Sequence, residues 1–256
     1  MVKINIINRQ VAELRQSGWS REKKPQDGHV AAVERVLAQP GGFGAVIVDD
    51  NSPDGTGALA DKLAAEHPGQ VFVVHRLAER GRGTAGIAGF RRALELGVPY
   101  VLEMDADLSH DPSDLPRLLR ICQDGADVAA GSRYVAGGKQ MERSFYRELV
   151  SVGSNLVYRL ILGTKVRDIS GGFKCYRREA MAALDWDRFF SYGYSIGMET
   201  VFRQERMGLR IVESPITFAD RRFGLSKFRL REGLLCLWVS LRLVAQLGRA
   251  PNGTHA

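Results

Sequence analysis

From residue 29 onward, apolar positions fall into blocks whose period switches between helix and strand. Residues 29–38 carry apolar side chains at helical spacing and stop at Pro40-Gly41-Gly42, where proline and glycine end a helix. Residues 45–48 form a short β-branched run. Residues 56–67 are helical and stop at Pro68-Gly69, and 71–74 read as a strand. Residues 84–96 then predict a helix closed by Gly97, 100–104 a strand, 113–123 a helix and 128–130 a short strand. Unbroken apolar runs alternating with helices predict a parallel sheet covered on both faces, because such strands keep no solvent face to make polar. Ahead of this pattern, residues 16–28 are polar and turn-rich and read as a loop. Residues 2–7 are apolar over too short a stretch for a signal peptide and lack a small-residue cleavage site. One α/β domain is expected. In such sheets ligands bind beyond the carboxyl ends of the strands, so chemistry is sought right after Val48, Val74 and Met104.

Composition narrows the class. The 256 residues are 45% hydrophobic and 25% charged, which excludes a wholly disordered chain and a polytopic membrane protein. Cys122, Cys175 and Cys236 are odd in number and far apart. They form neither a disulfide framework nor a Cys-x-x-Cys metal site, so a reducing, cytosolic setting is expected. The net charge is +7, and residues 201–256 hold ten basic against four acidic side chains, so nearly all of the excess lies there. Such a block is either a solvated basic face or a surface for phosphate, nucleic acid or anionic membrane. No nucleic-acid recognition motif accompanies it, and nucleic acid is not the expected partner.

The first polar cluster is Asp49-Asp50-Asn51-Ser52-Pro53-Asp54-Gly55-Thr56. Turn chemistry accounts for Pro53, Asp54 and Gly55, and Thr56 can cap the next helix. It does not account for Asp49 and Asp50, adjacent carboxylates that repel each other, and acids there suit hydrogen bonds from a ribose or a base. The second cluster, Gly81-Arg82-Gly83-Thr84-Ala85-Gly86, fits G-x-G-x-x-G and has Asp105 about twenty residues on. Taken alone it suggests a nicotinamide-dependent oxidoreductase. Against this, residues 75–80 separate it from the strand and it is not the first βα turn. A backbone amide nest for another phosphate is the other reading. The third cluster is Asp105-Ala106-Asp107-Leu108-Ser109-His110-Asp111-Pro112. Asp111-Pro112 starts a helix, and His110 reads as structural. Asp105 and Asp107, one residue apart at a strand end, can converge on one hard cation, and Mg²⁺ is typically held by one or two carboxylates plus substrate phosphate oxygens.

The first and third clusters together resemble glycosyltransferase family 2, and within it the dolichyl-phosphate (polyprenyl-phosphate) mannose synthases. Later segments agree in order: Gly131-Ser132-Arg133-Tyr134, Asp168-Ile169-Ser170-Gly171-Gly172-Phe173, Gly193-Tyr194-Ser195 with Glu199, and Asp220-Arg221 through Gly224 to Ser226-Lys227. The resemblance implies a GT-A fold, a Rossmann-like, mostly parallel sheet with helices on both faces. It implies transfer of a sugar, with inversion, from a nucleotide-sugar donor to a polyprenyl phosphate acceptor, with Mg²⁺ or Mn²⁺ as cofactor. Mannose from GDP-mannose is the expected donor and UDP-glucose the alternative. Family motifs map Val48 and Asp50 onto nucleotide contacts, Asp105 and Asp107 onto the diphosphate-bound metal with Ala106 between them, and Ser109 onto the metal shell. They map Arg133, Arg147 and Ser151 onto the acceptor phosphate and Lys227 onto the donor phosphates, with Asp107 and Arg133 as the catalytic pair. Glu199 reads equally as a buried structural acid or an active-site one, and Gly171-Gly172-Phe173 as a tight turn.

The chain departs from the family at its start. Relatives carry Pro-Thr-Tyr-Asn-Glu after the first strand, where Asn8-Arg9-Gln10 follows Ile7 here. The glycine loop has Glu79-Arg80-Gly81-Arg82-Gly83 where relatives have Lys before Gly-Leu-Gly, and Arg80 or Arg82 is the candidate replacement charge. An inactive member serving as a binding subunit is therefore a third reading.

At the other end, the apolar run 233–247 contains Arg242 and falls short of the about 20 residues a spanning helix needs. Leu234, Leu237, Trp238, Leu241 and Val244 follow helical spacing, which fits a helix packed on the domain or an interfacial one with Trp238 at the headgroup level. The expected organisation is a glycosyltransferase domain over 1–230, atypical over 1–40, and an amphipathic interfacial helix and tail over 231–256. The protein is expected to be cytoplasmic and peripheral on the cytoplasmic face of a membrane.

Overall fold

Short β-branched runs alternate with helices as the periodicity predicts. The computed structural model describes residues 2–7, 25–53, 55–77, 81–141, 145–191, 193, 195–219 and 230–248. In chain order the first half holds β1 (Val2–Ile7), α1 (Pro25–Leu37), β2 (Phe43–Asp49), α2 (Thr56–Glu66), β3 (Val71–His75), α3 (Arg82–Glu95) and β4 (Tyr100–Asp105). A 3-10 turn over Pro112–Asp114 leads into α4 (Leu115–Gln123) and β5 (Val128–Ser132). There follow β6 (Lys139–Gln140), α5 (Phe145–Leu162), β7 (Lys174–Arg177), α6 (Arg178–Ala182), α7 (Ser195–Arg206), β8 (Ile211–Pro215), β9 (Thr217–Phe218) and α8 (Leu230–Leu247).

Seven strands make one sheet in the order β3-β2-β1-β4-β7-β5-β8, and β6 pairs with β9 beside it. The chain runs outward through β1, β2 and β3 and then crosses back to place β4 on the other side of β1. Strand order therefore reverses between β1 and β4, the kind of crevice where open α/β sheets bind ligands. There Ile7 is level with both Val48 and Asp105. Alternate residues of β2 serve opposite faces, as the pleat requires. Ala45 and Ile47 belong to the core cluster of the face that α1 covers with Ala32, Val33 and Val36, while Val46 and Val48 pack with Ala85 of α3.

The structure differs from the sequence expectation in three places. The first helix begins at Pro25, inside the segment read as a loop, because proline's fixed φ suits the first helical turn. Residues 2–7, to which the periodicity assigns no element, form the strand beside the switch point, paired on both sides. The parallel sheet is interrupted by β7, four residues that run antiparallel to both β4 and β5.

The carboxyl-terminal helix packs on the domain. Cys236, Val239 and Leu243 of α8 are buried with Tyr158 and Leu162 of α5 and with Val201 and Phe202 of α7. On the opposite flank of α8, Leu234, Trp238 and Leu241 are exposed. Arg242 lies 4.2 Å from the Phe190 ring centroid and 5.1 Å from that of Trp238. Among the described residues, no helix is long and apolar enough to cross a membrane.

Candidate active site

The end of β4 turns sharply to present its acids. Leu108 takes a left-handed backbone conformation (φ 59°), which costs a non-glycine residue roughly 1–3 kcal/mol and persists only where neighbours enforce it. They do so here. The Ser109 N–H donates to Asp107 Oδ1 at 3.1 Å, and the Ser109 hydroxyl donates to the same oxygen. One residue later, His110 Nδ1 accepts from the Asp105 N–H at 3.3 Å. Because an amide can only donate, that nitrogen carries no proton and the ring's proton sits on Nε2. The imidazole is buried, stacked on Phe173 (centroids 4.9 Å apart) and edge-on to Phe218 (5.2 Å). His110 is thus a structural post under the turn. The Ala106 methyl lies in the core, so Ala106 can offer a ligand only its backbone. Asp105 and Asp107, between core and solvent, are half-buried.

Two half-exposed carboxylates with hard oxygens suit Mg²⁺ or Mn²⁺, which readily fill remaining positions with water and phosphate oxygen. Among the described residues, no group of three His, Cys, Asp or Glu side chains is placed to hold an ion. The donor set therefore fits a metal shared with a substrate phosphate and not a closed protein cage. Ser109, expected in the metal shell, is buried and turns its hydroxyl to Asp107.

Asp49 and Asp50 avoid mutual repulsion by taking separate partners. Asp49 accepts from the Ser52 N–H at 3.3 Å, and its Oδ2 lies 3.8 Å from His75 Nδ1. Asp50 pairs with Arg76, Nε to Oδ1 at 2.8 Å, and accepts from the Gly81 N–H at 2.9 Å. Arg76 is buried, and its own N–H donates to the Asp49 carbonyl at 2.8 Å. It was not singled out from the sequence, although a basic residue just past a strand end facing an unexplained acid is a usable signal. Val48 is buried between Val46 and Ala85, so it can meet a nucleotide only through its backbone. The glycine loop departs from a dinucleotide fingerprint in two respects. Gly81, at φ 138° where only glycine is at ease, spends its N–H on Asp50. The loop also follows β3, the edge strand, and not a strand at the switch point.

A second cluster gathers at the end of β5. Arg133 grips Asp168 through Nε (2.7 Å) and Nη2 (2.6 Å), and its backbone N–H donates to the same carboxylate at 3.0 Å. Nη2 also donates to Ser170 Oγ at 3.1 Å. Burial by itself would lower the guanidinium's pKa, but the Asp168 charge and hydrogen bonds outweigh it and raise the value further. Asp168 mirrors this: burial pushes it up, and Arg133 more than compensates, holding the carboxyl below its ordinary range. The guanidinium lies 5.0 Å from the Tyr134 ring centroid and 5.4 Å from that of Phe218, and it feels the Asp105 charge. The Tyr134 hydroxyl meets Ser151 Oγ at 2.9 Å and accepts from Gln140 Nε2 at 3.1 Å. Arg133 and Ser151, 18 positions apart, thus converge through Tyr134, close enough to Asp105 for its field to reach.

Asp168 and Tyr134 lie in segments noticed for their resemblance but were given no role there. Lys174 was missed entirely. It is fully buried on β7, donates to the Gly171 carbonyl, and faces Glu103 directly across the β4–β7 pair. Arg147 is placed by its backbone only, in the early turns of α5. Lys227, with Asp220, Arg221, Gly224 and Ser226, lies outside the described residues, as do Tyr194 and Arg80.

Glu199 holds the fold together. It is fully buried, pairs with Arg203 at 2.6 Å, and accepts from the Ser191 N–H at 3.0 Å and from the Ser191 hydroxyl. Of its two readings, the structural one holds.

Comparison with known proteins identifies the family. The family model described as glycosyl transferase family 2 matches residues 30–184. An undecaprenyl-phosphate mannosyltransferase of Micrococcus luteus is 44% identical over 214 residues, which cover 79% of this chain and 86% of that protein. A polyprenol monophosphomannose synthase of Mycolicibacterium smegmatis is 44% identical over 71% of this chain and 69% of its own length. A dolichol-phosphate mannosyltransferase of Pyrococcus furiosus is 39% identical over 72% of this chain, a match that spans half the length of that protein. Among solved structures, glucosyl-3-phosphoglycerate synthase of Mycobacterium tuberculosis, in complex with Mn²⁺, uridine-diphosphate-glucose and phosphoglyceric acid, superposes with a TM-score of 0.61. That match covers 98% of this chain and 81% of the other at 16% identity, a likeness of fold alone.

Proposed function

The chain belongs to glycosyl transferase family 2 and has the GT-A fold, and from that premise we propose that it transfers mannose from GDP-mannose to a polyprenyl monophosphate. The observation that carries this reading is the convergence of Arg133, Tyr134 and Ser151 beside Asp105. It gathers a cation and two hydroxyls within the field of Asp105, one of the carboxylates suited to a diphosphate-bound metal. The relatives named as polyprenol-phosphate mannosyltransferases, at 44% identity, favour this sugar and this acceptor class.

The chemistry needs no strong general base. A phosphate monoester has a second pKa near ~6, so the acceptor is largely dianionic at neutral pH. Its oxygen attacks the anomeric carbon from the face opposite the donor diphosphate. The C–O bond to the diphosphate breaks, its electron pair leaves with the nucleoside diphosphate, and the configuration inverts. Asp105 and Asp107 would hold Mg²⁺ or Mn²⁺, which when bound would supply positive charge against the departing diphosphate. Asp50 and the Val48 backbone are the donor's nucleotide contacts, and Lys227 its further phosphate contact. Arg133, Arg147 and Ser151 receive the acceptor phosphate and offset its repulsion from the donor. Much of the acceleration then comes from holding two anions in line.

The acceptor's chain requires a lipid-facing surface. Past Ser151, α5 exposes Val152, Leu156 and Leu160, and α8 exposes Leu234, Trp238 and Leu241. These faces support a peripheral position on a membrane; the reading puts it on the cytoplasmic side, with residues 231–256 as the interfacial element on a 1–230 catalytic domain. The test is transfer of radiolabelled sugar to polyprenyl phosphate from GDP-mannose and from UDP-glucose. A mannolipid formed only with Mg²⁺ or Mn²⁺ is expected. Transfer from UDP-glucose alone would replace the donor, and donor binding with no lipid-linked sugar from either would make the protein a binding subunit.

A further inference from the structure

The most fully constrained charge in the candidate site is one for which no role has been derived. The Asp168 side chain has no solvent exposure, yet it is held ionised, and three hydrogen bonds reach it from Arg133 alone. Its backbone is pinned as well. The Asp168 N–H donates to Glu213 Oε1 at 2.9 Å and the Arg167 N–H to Glu213 Oε2 at 2.8 Å, which anchors this segment to β8. Gly171 turns back on the Asp168 carbonyl at 3.4 Å.

Resting on the acceptor reading above, we propose that Asp168 is a positioning residue that aims Arg133 at the acceptor phosphate. A guanidinium has five N–H donors in a rigid plane. Asp168 and Ser170 take the Nε proton and both Nη2 protons, so the plane is set and the Nη1 amino group is the edge left for an incoming anion. Tyr134 and Phe218 near the guanidinium oppose its rotation. The arrangement also sets the charge. Arg133 and Asp168 sum to zero, and Lys174, whose field reaches Asp168, stands opposite Glu103 across the β4–β7 pair. A site that must admit an acceptor dianion beside a donor diphosphate thereby gains directional donors without a large fixed charge that would trap the product.

The test uses the full chain with Asp168→Asn, which keeps the shape and one acceptor oxygen but removes the charge. Acceptor KM is expected to rise roughly tenfold or more, the order of a lost charge-assisted hydrogen bond, while donor KM stays within about twofold. In an Arg133→Ala background the same substitution should change acceptor KM no further, because Asp168 acts through Arg133. Asp168→Glu, which keeps the charge but displaces it by one methylene, provides a second variant if the asparagine protein fails to fold. It too should raise acceptor KM selectively, with the melting temperature reporting folding. Donor and acceptor KM rising together, or an undiminished effect without Arg133, would overturn the proposal. Affinity for farnesyl phosphate, measured by calorimetry without donor, separates the two readings. Wild-type binding without sugar transfer sinks the activity but leaves Asp168 to be judged by affinity, and no wild-type binding sinks both.

Discussion

The Tyr134 hydroxyl and the Ser151 hydroxyl meet at 2.9 Å, and that contact joins the loop after β5 to α5. Tyr134 packs against Arg133 on one side and bonds Ser151 on the other, so the two expected phosphate ligands are held by one aromatic ring. Tyr134→Phe removes the hydroxyl and keeps the ring. One neutral hydrogen bond contributes about 0.5–1.5 kcal/mol, so acceptor KM should rise roughly two- to tenfold with kcat little changed. Ser151→Ala should do the same, and the double variant should not exceed the larger single effect. Steady-state kinetics with varied polyprenyl phosphate would measure this, and fully additive effects would count against the coupling.

Asp107→Ala should abolish metal-dependent donor binding while the fold survives, because Asp107 is half-exposed and bonds Ser109 within its own turn. Calorimetry of GDP-mannose binding with and without Mn²⁺ measures the first half, and circular dichroism the second. Donor binding still strengthened by Mn²⁺ would remove Asp107 from the metal site.

The Arg133–Asp168 pair makes stability depend on acid. The native Asp168 carboxyl lies below its ordinary range because Arg133 outweighs the cost of burial. An acid with a depressed native pKa adds stability that is complete above its unfolded value, about 3.9, and is lost as pH falls through the native value. Urea unfolding across that acidic window should therefore show a steeper loss for the wild type than for Asp168→Asn. Equal pH slopes would contradict this origin.

Gly138 sits where backbone leaves no room. A Cβ there would lie 2.6 Å from the Ser132 carbonyl oxygen and 2.7 Å from that of Arg133. Neither can swing aside as a side-chain tip would. Gly138→Ala should cost roughly 1–3 kcal/mol by overpacking, and it should raise acceptor KM because Arg133 is displaced. An unchanged urea midpoint would show that the loop relaxes freely.

The exposed apolar flanks of α5 and α8 should govern lipid binding. Replacing Leu156, Leu160 and Trp238 together with serine removes exposed apolar surface without touching the buried Cys236, Val239 and Leu243. Sedimentation with anionic phospholipid vesicles should fall severalfold while the thermal midpoint holds. Undiminished sedimentation would place the membrane contact elsewhere.

Local pattern sufficed for much of the molecule. Most helices and strands between residues 29 and 132 follow from period and turn chemistry, which act between near neighbours in the chain. The placement of Asp105 and Asp107 at a strand's carboxyl end follows from the same signals, and the recurrence of motifs in order pointed to the family. Partners were another matter. Nothing near Asp50 in the chain announces the Arg76 that the sheet brings to it, and nothing near Arg133 announces the Asp168 brought by the segment before β7. The insertion of β7 against its neighbours' direction and the packing side of α8 were equally invisible, since both depend on which surfaces remain uncovered once the other elements are in place. A sequence specifies which charges exist and on which element each one rides. Which opposite charge neutralises each of them depends on strand order and loop closure across tens of residues, and those only the tertiary structure decided.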